Sequence, residues 1–531
     1  MRIIPHMPSA LPTAKPTPVT TADDAGRYLA LQARDARFDG RFFTGVTSTG
    51  IYCRPVCRVR TPKVENCRFF ERAAQAEAAG FRPCLRCRPE LAPAQSAALH
   101  WTTQDASALL ALQAADLIEH ATQADDSPSI VVIADRLGIS DRHLRRIFEA
   151  HWGLTPLSYL QTRRLLTAKQ LLTDTQLPVA DVAALSGFAS VRRFNAAFVQ
   201  HYRLQPTALR KAMRSDSHAT QIGTRKGSDA QHGLATEAAV FRFQAAYRPP
   251  FNVQHLLNFF AQRSVAGVEW VDPEQGVIRR TISLQHKSTT LRGWVEARWM
   301  PDQHRVQLLI SESLASALPV VLQRMHAWLD LDADPAAVDV LLCADFPHTE
   351  GMRVPGTMDG LELAVRAILG QQITVKAART LTERLVSHCG ATLTNAPQGL
   401  ALCFPDAASL AAMSPDALGS LGIVKQRQQA ILSLAQAVQS GALNLQPGSD
   451  VPATMAKLQS LPGIGAWTAH YIALRALRWP DAFPSGDVAL QSALGVREAS
   501  NPAAAADALS QRWRPWRGYA TVRAWHSLSK T

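Results

Sequence analysis

The chain is poor in cysteine. Eight in 531 residues is too sparse for the disulfide framework of a small secreted domain. It also lacks any uninterrupted apolar run of about 18 residues, which argues against a transmembrane helix. Residues 1–21 hold five prolines and no apolar core segment, so they do not read as a signal peptide. A reducing, cytoplasmic setting is expected, with no membrane partner. Acidic side chains are in deficit: 43 Asp and Glu face 56 Lys and Arg, a formal charge of +13. Such an excess suits an anionic partner, nucleic acid being the commonest. Composition by itself leaves an acidic membrane surface open as well. The chain is 47% hydrophobic and 19% charged, enough to bury several cores. At roughly 150 residues per domain its length suggests three or four units.

What is present is unevenly distributed. Residues 1–21 read as a disordered leader. Residues 1–100 hold 15 Lys and Arg against 8 Asp and Glu, so much of the positive charge sits near the start. Residues 105–213 are rich in helix formers with apolar residues at helical spacing. Residues 214–238 are polar and aperiodic and read as an interdomain linker. The segments Val277–Leu284, Leu291–Trp299 and Arg305–Ser311 alternate as half-buried antiparallel strands do. From about Asp339 onward the pattern is helical again, broken at Leu461-Pro-Gly-Ile-Gly465 and Phe483-Pro-Ser-Gly-Asp487.

Four of the cysteines are spaced as metal ligands: Cys53-x3-Cys57 and, 26 residues on, Cys84-x2-Cys87. Two such pairs close a four-thiolate zinc site. Cys67 lies outside the spacing and is expected to be a packed core thiol, as are the isolated Cys343, Cys389 and Cys403 in apolar helical contexts. Arg54, Arg58, Arg60, Lys63, Arg82, Arg86 and Arg88 interleave with the ligands. Zinc keeps its sulfurs deprotonated at neutral pH, and a thiolate is a nucleophile. The stretches Phe38-Asp-Gly-Arg-Phe-Phe43, Gly50-Ile-Tyr-Cys-Arg-Pro-Val-Cys57 and Ala79-Gly-Phe-Arg-Pro-Cys-Leu-Arg-Cys-Arg-Pro89 resemble the Ada methylphosphotriester-repair domain over most of residues 22–92. That resemblance implies one zinc ion on Cys53, Cys57, Cys84 and Cys87. It makes Cys53 the acceptor of a methyl group from a backbone phosphotriester. The family's other methyl-accepting motif, Pro-Cys-His-Arg, does not occur in the sequence.

Residues 105–213 contain one unit twice, offset by fifty positions. Ala134 matches Ala184, Ser140 matches Ser190, Arg142 matches Arg192, Phe148 matches Phe198, and Pro156 matches Pro206. Each copy reads as helix, glycine-containing turn, and second helix begun by a serine cap: Ser140 before Asp141–His151 and Ser190 before Val191–Tyr202. Leu144, Ile147 and Phe148 mark the inner face of one second helix, and Phe194 and Phe198 that of the other. Arg142, Arg145 and Arg146, and then Arg192 and Arg193, fall outside and are DNA-contact candidates. With Gly153-Leu-Thr-Pro-Leu-Ser-Tyr-Leu160 the pattern resembles an AraC-type DNA-binding domain. The bland alternative is a helical bundle with solvated arginines.

Further on, Leu461-Pro-Gly-Ile-Gly465 lies between two helical segments. A tight glycine turn lets backbone N–H groups approach a phosphate, so Gly463 and Gly465 are candidate DNA contacts. With the Pro484-Ser-Gly-Asp487 loop that follows, the region resembles the helix-hairpin-helix glycosylase superfamily. Ala364-Val-Arg-Ala-Ile-Leu-Gly-Gln371 and Trp513-Arg-Pro-Trp-Arg-Gly-Tyr519 narrow this to its AlkA branch of 3-methyladenine glycosylases. Breaking a C–N glycosidic bond builds positive charge on the sugar, which a nearby carboxylate offsets. The resemblance places Asp487 there, while local reading makes it equally a helix cap. Members that also cut the strand carry a lysine after the hairpin. The matching residue is Trp467, so base removal without strand cleavage is expected, with no cofactor. Trp467 and Tyr471 share a helix face, and Trp525 matches a further pocket aromatic; such rings attract cationic alkylated bases. Gln372 stands where the branch has a leucine that wedges into the duplex as the base flips.

The expected architecture is multidomain α+β. A small zinc-bound domain (22–92) precedes an all-α double helix-turn-helix domain (105–213). An antiparallel-sheet subdomain (239–335) and an α-helical helix-hairpin-helix glycosylase domain (336–531) follow. The expected function is DNA alkylation repair joined to its regulation, on alkylated and on promoter double-stranded DNA, by a monomer that as an activator would meet RNA polymerase. Two rivals stand beside it. One is a methylation-responsive activator with an inactive glycosylase fold. The other is a zinc and helix-turn-helix regulator that senses no methylation.

Overall fold

In the computed structural model, residues 22–94, 106–121, 129–212, 240–286 and 289–528 are described. The expected leader at 1–21 and linker at 214–238 lie outside them. The N-terminal unit is a four-stranded sheet of β1 (Phe43–Val46), β2 (Ile51–Cys53), β3 (Cys67–Phe70) and β4 (Arg82–Pro83), in the order β3-β1-β2-β4. β2 and β4 run parallel and the other pairs antiparallel. Phe43, Tyr52, Ala76 and Phe81 form its small core. Gly45 is required there, since a Cβ would meet the rings of Phe70 and Phe81 at 2.9–3.0 Å. Cys67 is half-buried on the outer strand β3 rather than in the core, and its thiol donates to Lys63 O.

The two repeated units are Ile130–Arg136 with Asp141–Trp152, and Val179–Leu185 with Val191–Tyr202, joined by the long helix Pro156–Asp174. Their turns pass through Gly138 and Gly187 at φ +68° and +80°, values that favour glycine. Ser140 Oγ accepts from His143 N at 3.2 Å, and Ser190 Oγ from Arg193 N at 3.3 Å. These bonds satisfy first-turn donors. Leu144, Ile147, Phe148, Phe194 and Phe198 are buried as their spacing requires.

The sheet subdomain holds β5 (Val240–Ala246), β6 (Glu269–Asp272), β7 (Val277–His286), β8 (Thr289–Met300) and β9 (Arg305–Ser311), in the order β5-β9-β8-β7-β6 and antiparallel throughout. Its core runs on without a break into the long joining helix through Leu165 and into the second helix-turn-helix unit through Phe194 and Phe198. The C-terminal helices form two further cores. Cys403 is buried on a short strand instead of a helix, and Cys343 and Cys389 are half-buried at helix ends. No helix among the described residues is long and apolar enough to cross a membrane.

The units are docked against one another. Arg248, 1% exposed, donates to the Asp39, Pro93 and Ala94 carbonyls of the first unit and to the Asp332 carbonyl of the third. Arg88, next to a cysteine ligand, clamps Asp174 at the end of the long helix with bonds of 2.7 and 2.8 Å. Lys169 on that helix pairs with the buried Glu90 at 2.5 Å.

Candidate functional sites

Parallel pairing of β2 and β4 sets Cys53 and Cys84 at the same end of neighbouring strands, one residue past the last paired positions. Cys57 and Cys87 follow in the adjoining turns. All four sulfurs are buried and lie within 4.8 Å of one another. Tetrahedral zinc with bonds of about 2.3 Å puts its sulfurs about 3.8 Å apart, so the four thiols fit that ion. Arg54, between the first two, turns inward at 2% exposure. Its Nε donates to Asp39 Oδ1 at 2.8 Å, Nη1 to Cys87 O at 2.9 Å, and its backbone N–H to Cys87 Sγ at 3.4 Å. The interleaved cations therefore divide. Arg54 and Arg88 build the centre and its docking, whereas Arg58, Arg60, Lys63 and Arg86 stay exposed beside it.

On the recognition helices Arg142, Arg145, Arg146, Arg192 and Arg193 are all exposed. Arg145 Nε is held by Asp141 at 3.0 Å.

The second centre forms where the hairpin helix Ala466–Arg475 meets the Pro484–Asp487 loop and the last helix, Arg517–Leu528. Asp487 caps the helix Val488–Ala493 through Oδ1, which accepts from Leu490 N at 2.7 Å. The same carboxylate takes Trp467 Nε1–H on Oδ2 at 2.7 Å and Trp525 Nε1–H on Oδ1 at 3.2 Å. Trp467 stacks on Tyr471, with centroids 5.4 Å apart and planes at 15°, and Trp525 tilts toward Tyr471 at 6.1 Å. The structure thus brings Asp487, Trp467, Tyr471 and Trp525 together.

Gly463 turns at φ +77°, and a Cβ there would come within 3.0 Å of Ala430. Gly465 caps the hairpin helix and has open space around it. Gln371 Nε2 donates to Gly463 O and to Thr468 Oγ1, both at 3.0 Å. That ties the turn carrying Gln372 to the hairpin. Gln372 itself is exposed at φ +55°, a strained conformation for a side-chain-bearing residue.

Sequence reasoning missed three groups behind the aromatic row. Arg475 donates to the Tyr471 hydroxyl. Its signal was available, because it continues the 467, 471 spacing by another four residues. Phe259 and Arg263 come from the sheet subdomain, the guanidinium lying 3.8 Å from the ring centroid. No local pattern points to them.

Comparison with known proteins follows these geometries along the chain. Residues 26–90 match the model of the metal-binding domain of Ada, and 133–212 a helix-turn-helix domain. Residues 242–359 match the AlkA N-terminal domain, and 365–517 the HhH-GPD superfamily of base excision DNA repair proteins. A probable bifunctional transcriptional activator/DNA repair enzyme AlkA of Mycobacterium tuberculosis is 36% identical over 517 residues, covering 95% of this chain and 97% of the relative. The chain belongs to this family of bifunctional activator/repair enzymes.

Its parts also match separate proteins. DNA-3-methyladenine glycosylase 2 of Escherichia coli is 34% identical over 53% of this chain and 95% of its own length. The bifunctional activator/repair enzyme Ada of the same organism is 38% identical over 29% of this chain and 40% of its own length. A solved 3-methyladenine DNA-glycosylase from Archaeoglobus fulgidus superposes with a TM-score of 0.43 at 18% identity, over 53% of this chain and 97% of that one. This activator/repair enzyme therefore carries a zinc-binding unit, a helix-turn-helix regulator unit and a glycosylase unit in one chain.

Proposed function

We propose that the protein hydrolyses the N-glycosidic bond of alkylated bases such as 3-methyladenine without cutting the strand. We further propose that it takes up one methyl group from a DNA phosphotriester on Cys53, and that it binds promoter DNA as a monomeric activator working with RNA polymerase. The observation that carries the reading is the Asp487 carboxylate held by two indole N–H groups at the edge of an aromatic row. A flipped base stacks on such rings, and the carboxylate meets the positive charge that develops on the sugar. The duplex is held by Gly463, Gly465 and the Gln372 turn. Trp467 offers no amine, so C1′ is captured by water and not through a Schiff base.

At the N-terminal centre, zinc bound by Cys53, Cys57, Cys84 and Cys87 supplies thiolate character at neutral pH. Arg54 and Asp39 fix the loop that presents Cys53, and the exposed Arg58, Arg60, Lys63 and Arg86 face a phosphate backbone. Arg142, Arg145, Arg146, Arg192 and Arg193 enter successive major grooves. The test incubates the whole protein with DNA alkylated at both bases and backbone, and measures free base and methyl transfer to protein together. Release of methylated base from intact strands, with about one methyl per chain on Cys53, is expected. Methyl uptake without base release would favour the activator with an inactive glycosylase fold. Neither event would leave a regulator that senses no methylation.

A further inference from the structure

One face of the hairpin helix carries a charge at each end. Trp467, bonded to Asp487, is followed one turn on by Tyr471 and a further turn on by Arg475. Eight residues at 1.5 Å each separate the ends by about 12 Å. Arg475 is 7% exposed. Its Nε donates to Pro355 O at 2.7 Å, Nη2 to Gly356 O at 3.2 Å, and Nη1 to the Tyr471 hydroxyl. The guanidinium lies 5.2 Å from the Tyr471 centroid and 4.9 Å from that of Phe259. On Phe259 sits a second cation, Arg263, which donates to Phe259 O and Gln262 Oε1. All these acceptors are carbonyl, amide or phenol oxygens without formal charge, so neither cation is neutralised by its own hydrogen bonds. Burial pushes the Tyr471 phenol up, but Arg475 and Arg263 outweigh it and hold the group below the ordinary tyrosine value.

We propose that Arg475, acting through Tyr471, is a positioning residue that sets which bases leave: it draws electrons toward the departing base while Asp487 meets the positive charge left on the sugar. The inference rests on the excision reading above. In the step, the C1′–N bond breaks and its electron pair stays on the base nitrogen. Water oxygen then bonds to C1′, and the proton that water loses passes by way of Asp487 to solvent. A cationic N-methylated purine departs neutral. A neutral purine departs as an anion and takes a proton from solvent. The Arg475 charge repels a cationic base in the ground state and repels it less in the transition state. It does nothing to a neutral base in the ground state and attracts it in the transition state. It therefore raises kcat for both, and raises kcat/KM selectively for the neutral one.

The test compares wild type, Arg475→Gln and Arg475→Lys, as full-length protein, on duplexes carrying hypoxanthine or 7-methylguanine. In Arg475→Gln, kcat/KM for hypoxanthine relative to 7-methylguanine should fall about tenfold, about 1.4 kcal/mol. On 7-methylguanine kcat and KM should fall together, and Lys should restore most of both effects. Equal losses on the two bases would mark a merely structural role and overturn the proposal. So would no loss on either, or an unchanged KM where 7-methylguanine is the only base excised. If Arg475→Gln does not fold, Arg263→Gln decides with the same readouts: a ratio shifted the same way supports the proposal and an unshifted ratio overturns it. Wild type that releases 3-methyladenine from alkylated DNA but neither of these bases would overturn the proposal, and wild type that releases none of the three would overturn the excision reading itself.

Discussion

Trp467 Nε1 donates to Asp487 Oδ2 across 2.7 Å, so the helix after the glycine hairpin is bonded directly to the loop bearing the carboxylate. The Trp467 indole thus fixes the orientation of that carboxylate. Asp487 caps the next helix with its other oxygen. The cap that the local sequence suggests is present, and the same carboxylate also accepts from two indole N–H groups.

Asp487→Asn keeps a competent helix cap, since Asn and Asp cap equally well. Thermal stability should change by less than about 1 kcal/mol. Base release in single turnover should drop about 10²–10³-fold, the scale of a lost electrostatic group in an active site, with duplex affinity retained.

Trp467→Phe preserves the stack on Tyr471 and removes the N–H. The carboxylate then loses a charge-assisted hydrogen bond, worth about 1.5–3 kcal/mol. Excision should slow roughly tenfold or more, with little change in KM. Trp525→Phe, removing the longer 3.2 Å bond, should cost less. Rate measurements on one lesion duplex check the order.

Zinc analysis should give about one ion per chain, and Cys57→Ala should lose it. Because Arg88 joins the cysteine turn to Asp174 and Glu90 to Lys169, chelation should also loosen the long helix of the regulator unit. Hydrogen exchange over Pro156–Asp174 should report this. Lys169→Ala should destabilise the protein by about 3 kcal/mol, the range for breaking a buried pair.

Acid sensitivity should reside partly in His255. Burial, with His526 and Arg263 nearby, holds its pKa down at about 3, against an ordinary value of about 6.5. Between these limits the unfolded chain binds a proton that the folded chain does not. Stability from this group is therefore full above about pH 6.5 and falls as pH drops toward 3. Melting temperatures from pH 7.5 to 5 should decline less steeply in His255→Phe than in wild type.

Under the proposed transfer, Cys53 turns from a thiolate into a neutral thioether and the four-cysteine centre loses one negative charge. Promoter affinity should rise on methylation, and the gain should shrink with added salt. Titrations of methylated and unmethylated protein at several salt concentrations check it. Equal affinity throughout would refute the electrostatic switch.

The sequence by itself determined what depends on neighbours along the chain. Spacing brought Cys53, Cys57, Cys84 and Cys87 forward, because a metal site built from two short pairs is written locally. The fifty-residue repeat and its serine caps did the same for the recognition helices, and alternation for β7 to β9, whose ends moved by no more than two residues. The glycine turn, Asp487, Trp467 and Tyr471 were legible as motifs. Tertiary structure alone decided which cations turn inward. Arg54 and Arg88 carry the same sequence signal as Arg58 and Arg86, and differ only because Asp39, Glu90 and Asp174 meet them in the fold. It also decided that Phe259 and Arg263, some two hundred residues before Tyr471, close the back of the aromatic row. Contacts across that separation are set by how two cores pack, and packing leaves no periodicity in either segment.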